Sequence, residues 1–418
     1  MIPIQDKRSC CGCAACAQRC PKHCITMRED EEGFLYPDVD KEACIGCGLC
    51  ERVCPELHEG EARTPLGTYA AVNPDESVRM QSSSGGVFTA LAEKTIDEGG
   101  VVFGVGFDQH WTARHLYAET RDQLAALRGS KYVQSEVGDS YRQAEAFLKS
   151  GRKVLFSGTP CQIAGLRRYL QREYDHLLTV DFICHGTPSP GVFRLYLKET
   201  IESIARQGDK KFSFASSRIP HIPTADVVAA KAGFAISDIR FRDKREGWKK
   251  YSFALSLSKS RAAGEQNTVS LSSIYTDNPF MQAFLVGLIL RPSCHKCVVK
   301  TGKSNSDITI ADFWGVEKVL TGVMDDDKGI SLIFVNSQIG KKYIEKIKLK
   351  IKECSYSDAI EQNPAYYLSS IIHPNRKSFF NSLVCNIGQP FSQLVKKKSK
   401  LPLLYRVKRK LRNLMNKL

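Results

Sequence analysis

The chain has 418 residues, enough for two or three domains that each bury a core, and its 42% hydrophobic and 25% charged residues are ordinary for a globular fold. The formal charge of +15 does not argue for nucleic acid, because the excess is concentrated: Lys396 to Leu418 holds ten Lys/Arg and no acid, whereas Met1 to Gly60 holds more Asp/Glu than Lys/Arg. No basic segment followed by an apolar one opens the sequence, and the longest apolar run, Met281 to Leu290, is about half of what a bilayer crossing requires, so the expectation is a cytoplasmic protein without a membrane span.

Ten of the 16 cysteines precede residue 55. Disulfide frameworks belong to exported chains; without an export signal, such tight spacing reads as metal ligation. The pattern Cys10-x-x-Cys13-x-x-Cys16-x-x-x-Cys20-Pro21 recurs as Cys44-x-x-Cys47-x-x-Cys50-x-x-x-Cys54-Pro55. An iron–sulfur cube needs four converging thiolates, and in two-cluster ferredoxins the fourth cysteine of each run serves the other cluster. The spacing therefore predicts two 4Fe-4S clusters, one held by Cys10, Cys13, Cys16 and Cys54 and its partner by Cys44, Cys47, Cys50 and Cys20. Zinc also accepts paired cysteines, but it does not require the third CxxC step or the trailing Cys-Pro. Cys11 and Cys24 are left over and read as small apolar fillers.

A polar linker, Glu59 to Pro65, closes this block, and the pattern then alternates between strand and helix. Ser83-Ser84-Gly85-Gly86 leads into an amphipathic helix, Val87 to Asp97, and a strand follows over Val101 to Phe107. Val154 to Phe156 reads as a strand, and Cys161 to Leu170 as a helix with Thr159 as N-cap and Pro160 in its first turn. Leu178 to Cys184 is a further strand, Pro190 to Ile204 a further helix, and Ser306 to Phe313 and Ile330 to Val335 return to strand character. Lys210 to Asn267 is polar, β-leaning and assigned no role. Repeated βα units imply an α/β core with parallel strands. The expected fold class is mixed, α+β then α/β: a small ferredoxin-like domain (1–60), then an α/β body (66–150 and 151–340) and a helical, basic extension (341–418).

Four later cysteines, Cys161, Cys184, Cys294 and Cys297, are far apart in sequence, and two sit at the mouths of βα units, where a doubly wound sheet builds its site. They suit a third cluster; Cys161 at a helix N-terminus also suits a redox-active thiol, and structural cysteines are the third alternative. Ser82 to Gly86 entering a helix suits either a phosphate cradle or a plain N-cap with a glycine turn. Gly104-Val105-Gly106 lacks the third glycine of a dinucleotide fingerprint, and Lys131-Tyr132 offers a cation and an aromatic ring to a cofactor. His110, His115, His185 and His295 are acid–base candidates by residue type alone, with His185 favoured by its place beside Cys184. In the tail, Leu404, Val407, Leu411, Leu414 and Leu418 recur at helical spacing among basic residues, a pattern suited to an anionic membrane surface or an acidic partner, or else to a solvated, frayed terminus.

Taken together, these motifs resemble the coenzyme F420 hydrogenase/dehydrogenase beta-subunit family over roughly residues 1–335. The resemblance rests on the ferredoxin block, Ser83-Ser84-Gly85-Gly86-Val87, Gly129-Ser130-Lys131-Tyr132-Val133, Gly158-Thr159-Pro160-Cys161-Gln162, Cys184-His185-Gly186-Thr187-Pro188, and Arg291 to Cys297 followed by Ser306 to Phe313. It implies a flavin-binding body, with FAD held by Ser83, Ser84, Gly85, Gly86, Lys131, Tyr132 and Thr159, and an additional cluster at Cys161, Cys184, Cys294 and Cys297 close to the flavin. It further implies an oxidoreductase that passes electrons between a redox partner or low-potential donor, the clusters, the flavin and a small organic substrate. Similar variants are associated with surface-polysaccharide pathways, and the alternative is a non-catalytic electron-transfer subunit or scaffold of a larger redox complex. Where the family commonly has Gly-Asp, this chain has Ala311-Asp312.

Overall fold

The computed structural model describes residues 2, 6–207, 219, 222–260, 266–322, 325–385 and 389–400. The amphipathic pattern at Leu404 to Leu418 lies outside them.

The first cysteine block surrounds an antiparallel hairpin, β1 (Ile25–Glu29) and β2 (Leu35–Val39), paired with Ile25 opposite Val39. One short helix follows each cysteine loop, Ala15–Arg19 and Leu49–Arg52. The body is built on strands β3 (Gly67–Val72), β4 (Val101–Phe107), β5 (Ala113–Ala118), β6 (Val154–Ser157) and β7 (Leu177–Phe182). A separate antiparallel layer comprises β8 (Ala235–Asp243), β9 (Ser252–Ser260) and β10 (Gln266–Ile274), after which β11 (Ile308–Asp312), β12 (Ser331–Val335) and β13 (Lys350–Glu353) return to the main sheet.

The main sheet has eight strands in the order β13-β3-β12-β11-β7-β6-β4-β5. Its four central strands, β11, β7, β6 and β4, run parallel, and antiparallel neighbours flank them on both sides. Strands covered on both faces read as continuous apolar runs, which is why Val154–Ser157 and Leu177–Phe182 carry almost no alternation. The helix Val87–Asp97 covers one face with Val87, Leu91 and Ala92, while Pro160–Leu170 buries Ile163 and Leu166 against Phe156 and Leu177 on the other. All four parallel strands end on one side, where doubly wound sheets place their ligands.

Two parts of the chain add to the sequence reading. The stretch from Lys210 to Asn267, read as β-leaning without a role, holds β8, β9 and the start of β10, a layer whose inner face carries Phe241, Phe253, Leu255 and Leu257 into the core. The segment assigned as a helical extension opens in the helix Gln338–Ile344, inserts β13, an exposed edge strand paired to β3, and then returns to helix at Tyr356–Glu361, Arg376–Val384 and Phe391–Lys398.

Candidate functional site

In each cysteine run the backbone turns left-handed at the same two places. Gly12 (φ +73°) and Ala14 (φ +59°) in the first loop match Gly46 (φ +66°) and Gly48 (φ +70°) in the second. A left-handed residue within each of the first two ligand intervals coils the loop around its thiols, and glycine takes this conformation at little cost. Cys10, Cys13, Cys16 and Cys54 line one small cavity, and Cys20, Cys44, Cys47 and Cys50 line another. These are the two crossed sets that the spacing predicts. Cys24 joins the second, its Sγ lying 3.4 Å from Cys20 Sγ.

Cys161 and Cys184, and more than a hundred residues later Cys294 and Cys297, line a third cavity. Helix Pro160–Leu170 begins at Cys161, β7 ends just before Cys184, and the helical turn Pro292–Lys296 carries Cys294. Burial pushes the Cys184 and Cys294 thiols upward and that of Cys297 up to about 12. Cys161 is also pushed well up, by its contact with the Cys11 thiol and then by burial, the reverse of the lowered thiol that a reactive cysteine at a helix N-terminus requires. Cys11, a filler in the sequence reading, lies in hydrogen-bonding contact with Cys13 and Cys161 and lines both the first and third cavities.

Whether these positions suit anionic iron–sulfur groups is tested by Arg291. Its side chain is fully buried, and among the described residues it forms no ion pair with a carboxylate; instead Nη2 donates to Cys10 Sγ at 3.5 Å. A buried cation is strongly unfavourable unless balanced; Glu56, which lines the same cavity, acts on it electrostatically from beyond ion-pair distance, and thiolates around an anionic cluster would place negative charge in contact with it. The donor set of the first cavity fits the group.

A much larger cavity, about 490 Å³, opens at the carboxyl ends of the parallel strands. Ser83, Ser84, Gly86, Lys131, Tyr132 and Thr159 all line it. The two segments assigned to a flavin are joined directly, since Ser130 N donates to Ser83 Oγ at 2.7 Å. Gly85 works from beneath: its N–H donates to Ser331 Oγ at 2.9 Å, and a Cβ there would come within 2.4 Å of the Ala71 carbonyl. Lys131 Nζ is occupied by the carbonyls of Ala126 (3.0 Å) and Arg128 (2.9 Å), and burial brings its pKa down to about 7. Thr159 caps its helix together with Gln162, whose Oε1 accepts from Thr159 N at 2.9 Å. Residues 181–187, Cys184 and His185 among them, form a wall shared by this cavity and the third cysteine cavity.

Of the four histidines, His185 alone lines both cavities, and burial holds its pKa near 4. His115 lies beneath Ser157, stacked on Phe156, His110 is on the surface beside Asp226, and His295 Nδ1 meets the Ser370 carbonyl at 3.0 Å. The sequence reading missed a cluster from the unassigned stretch: Arg242 lines the large cavity, ion-pairs with Asp312 at 2.8 Å and packs 4.0 Å from the Tyr251 ring. Trp248 donates to the same Asp312 at 3.2 Å and stacks on Trp314. Asp312 is the acid of the Ala311-Asp312 pair, so its place in a motif was legible but its buried cation was not.

The fold and the cysteine sets define an iron–sulfur electron-transfer protein of the oxidoreductase type. Residues 68–140 match the N-terminal and residues 151–358 the C-terminal family model of the coenzyme F420 hydrogenase/dehydrogenase beta subunit, and residues 9–57 match a 4Fe-4S dicluster domain. The chain belongs to the coenzyme F420 hydrogenase/dehydrogenase beta-subunit family. No curated protein matches it. Among solved structures, a chain of the F420-reducing NiFe hydrogenase complex from Methanosarcina barkeri, studied by xenon derivatization, is 17% identical; 79% of this chain and 96% of that one are covered, with a TM-score of 0.42. Among the described residues no helix is long and apolar enough to cross a membrane.

Proposed function

We propose that the protein is an iron–sulfur flavoprotein oxidoreductase, passing electrons between its N-terminal clusters, a third cluster in the body and FAD, at which a small organic substrate is reduced or oxidised. The observation that carries this reading is the continuity of the sites. Cys11 lines both the first and third cysteine cavities, and the wall 181–187 belongs to both the third and the large cavity. When bound, a flavin supplies exchange of single electrons with clusters and of a hydride with an organic molecule.

The chain's own residues have separable tasks. Ser83, Ser84, Gly86 and Ser130 would present backbone and hydroxyl groups to a cofactor phosphate at the start of helix Val87–Asp97, as helix N-termini do for anions. Tyr132, Tyr251 and Trp314 give the cavity aromatic walls, and Arg242 gives it a fixed cation. His185, neutral at physiological pH, is placed to hold or move a proton beside the cavity. A substrate from a surface-polysaccharide pathway is supported by the family resemblance, and attachment to an anionic membrane surface by the charge of residues 396–418. The boundaries 1–60, 66–150, 151–340 and 341–418 follow the same reading.

Iron, sulfide and flavin counted per chain after anaerobic reconstitution test the proposal. About twelve iron atoms and one FAD are expected, whereas about eight iron atoms without flavin overturn both the third cluster and the flavin. Turnover of an organic acceptor by the isolated chain with a low-potential donor separates an enzyme from a carrier subunit.

A further inference from the structure

Arg291 has no role in the electron path just described, yet it is among the most deeply enclosed side chains of the protein. It reaches from the body into the ferredoxin-like domain, where Nε donates to the Cys10 carbonyl at 2.7 Å and Nη2 to the Leu35 carbonyl at 2.9 Å. Nη1 donates to Gln134 Oε1 at 2.9 Å, and Gln134 Nε2 in turn donates to the Cys11 carbonyl at 2.9 Å. The guanidinium lies 4.2 Å from the centre of the Tyr36 ring and 5.4 Å from that of Phe34. Its carbonyl and ring partners are neutral, leaving Cys10 Sγ, 3.5 Å from Nη2, as the anionic centre in hydrogen-bonding contact.

Among the described residues the second cysteine set has nothing comparable. The cation that lines its cavity is Lys22, an exposed residue, and Cys47 and Ile45 there are exposed as well. Charge in water is strongly screened, whereas charge in the interior is screened much less. Glu56 also lines the first cavity, but Arg291 is the charged group in hydrogen-bonding contact with a ligand sulfur there, so the two sets are alike in ligands and unlike in field.

We infer that Arg291 is a positioning residue that raises the reduction potential of the cluster at Cys10, Cys13, Cys16 and Cys54 above the value its burial would otherwise impose, making it the inner electron acceptor of the pair. A four-thiolate cube is already anionic when oxidised and gains a further negative charge on reduction. Burial opposes that gain, and a fixed cation with an N–H on the ligand sulfur favours it. One electron is taken up with no bond made or broken, so balance requires only the external low-potential donor. The inference rests on the two-cluster reading but needs neither the flavin nor the third cluster.

EPR-monitored redox titration of the anaerobically reconstituted full chain tests it, with Cys47→Ser used to assign the signal of the outer cluster. In Arg291→Gln the inner cluster is expected to become at least tenfold harder to reduce at a fixed potential, ~59 mV for one electron, while the outer midpoint stays in place. Arg291→Lys, which keeps the charge, is expected to retain most of the native midpoint. Equal shifts of both clusters, or no shift in a fully loaded Gln variant, overturn the inference. If that variant takes up no iron at the inner site, Gln134→Glu decides instead: it sets a carboxylate against the intact guanidinium and should lower the inner midpoint alone, and an unchanged midpoint there refutes the role. Because the clusters themselves are titrated, the measurement discriminates equally well in a protein that proves to lack flavin.

Discussion

Gly12 and Gly46 occupy equivalent places in the two cysteine runs, with φ of +73° and +66°, yet their surroundings differ. A Cβ on Gly12 would meet Gln134 Nε2 at 2.7 Å and Arg291 Nη1 at 2.9 Å, whereas nothing lies within 4 Å of the corresponding position on Gly46. Gly46→Ala should therefore cost only the left-handed backbone term, about 1 kcal/mol. Gly12→Ala carries the same term and also displaces a fully buried guanidinium from its carbonyl partners, so a loss of about 3 kcal/mol is expected. Urea unfolding of the two variants measures the difference, and iron content should fall by about four atoms in Gly12→Ala and stay level in Gly46→Ala. Equal losses would mean that Arg291 yields freely.

At the scale of elements, the legible parts were those in which local pattern and tertiary role coincide. Val87–Asp97 and Val101–Phe107 have the boundaries that the sequence suggests, because a glycine starts the helix, Gly99-Gly100 stops it and an unbroken apolar run follows. Thr159 and Pro160 likewise announce their helix. The cysteine sets were legible because ligand spacing is fixed by the chemistry of the cluster. In the three-stranded layer the β-leaning character was legible, with polar residues alternating along β9 (Ser252, Ser256, Ser258), but not which strands pair, or that Arg242 reaches the large cavity and Trp248 the Asp312 carboxylate. Strand β13, Lys-Ile-Lys-Glu, is exposed throughout and is held by its ladder to β3, so no side-chain pattern records it. Arg291 and Arg242 were invisible as site residues because a buried arginine is recognised only by what encloses it.

The helix Phe391–Lys398 shows how the basic extension divides. Phe391, Leu394 and Val395 are all within 2% of full burial, in the same core as Phe280, Phe284 and Tyr196, while Lys396 and Lys397 face outward. Ending the chain after Lys400 should leave the melting temperature and iron content unchanged. Ending it before Phe391 removes three core side chains at roughly 1.5–3 kcal/mol each, a total loss of about 6 kcal/mol. Calorimetry of the two truncations decides whether the fold closes with this helix or needs the residues after it.

Across the whole molecule, the ferredoxin-like domain is held to the body by polar contacts that are largely removed from water. Glu32 accepts from Arg376 Nη1 at 2.9 Å and Nη2 at 2.5 Å, with side-chain exposures of 15% and 11%, and Arg376 also donates to the Leu290 carbonyl. Glu29 pairs with Arg194, and the N–H of Tyr141 donates to Gln18 Oε1 at 3.0 Å. Removing one partner of a buried ion pair leaves the other uncompensated, and Arg376→Ala should cost about 3 kcal/mol. That loss falls on the junction between the domains and on neither core. The native chain should unfold in urea as one transition, with cluster absorbance and far-UV circular dichroism coinciding, whereas the variant should lose its cluster signal first and its body later. Coincident curves in Arg376→Ala would show that apolar contacts at the junction suffice. Separated curves would show that the electron-entry domain keeps its register on the body, and with it the short step from the first cysteine set to the third, through a few buried charges.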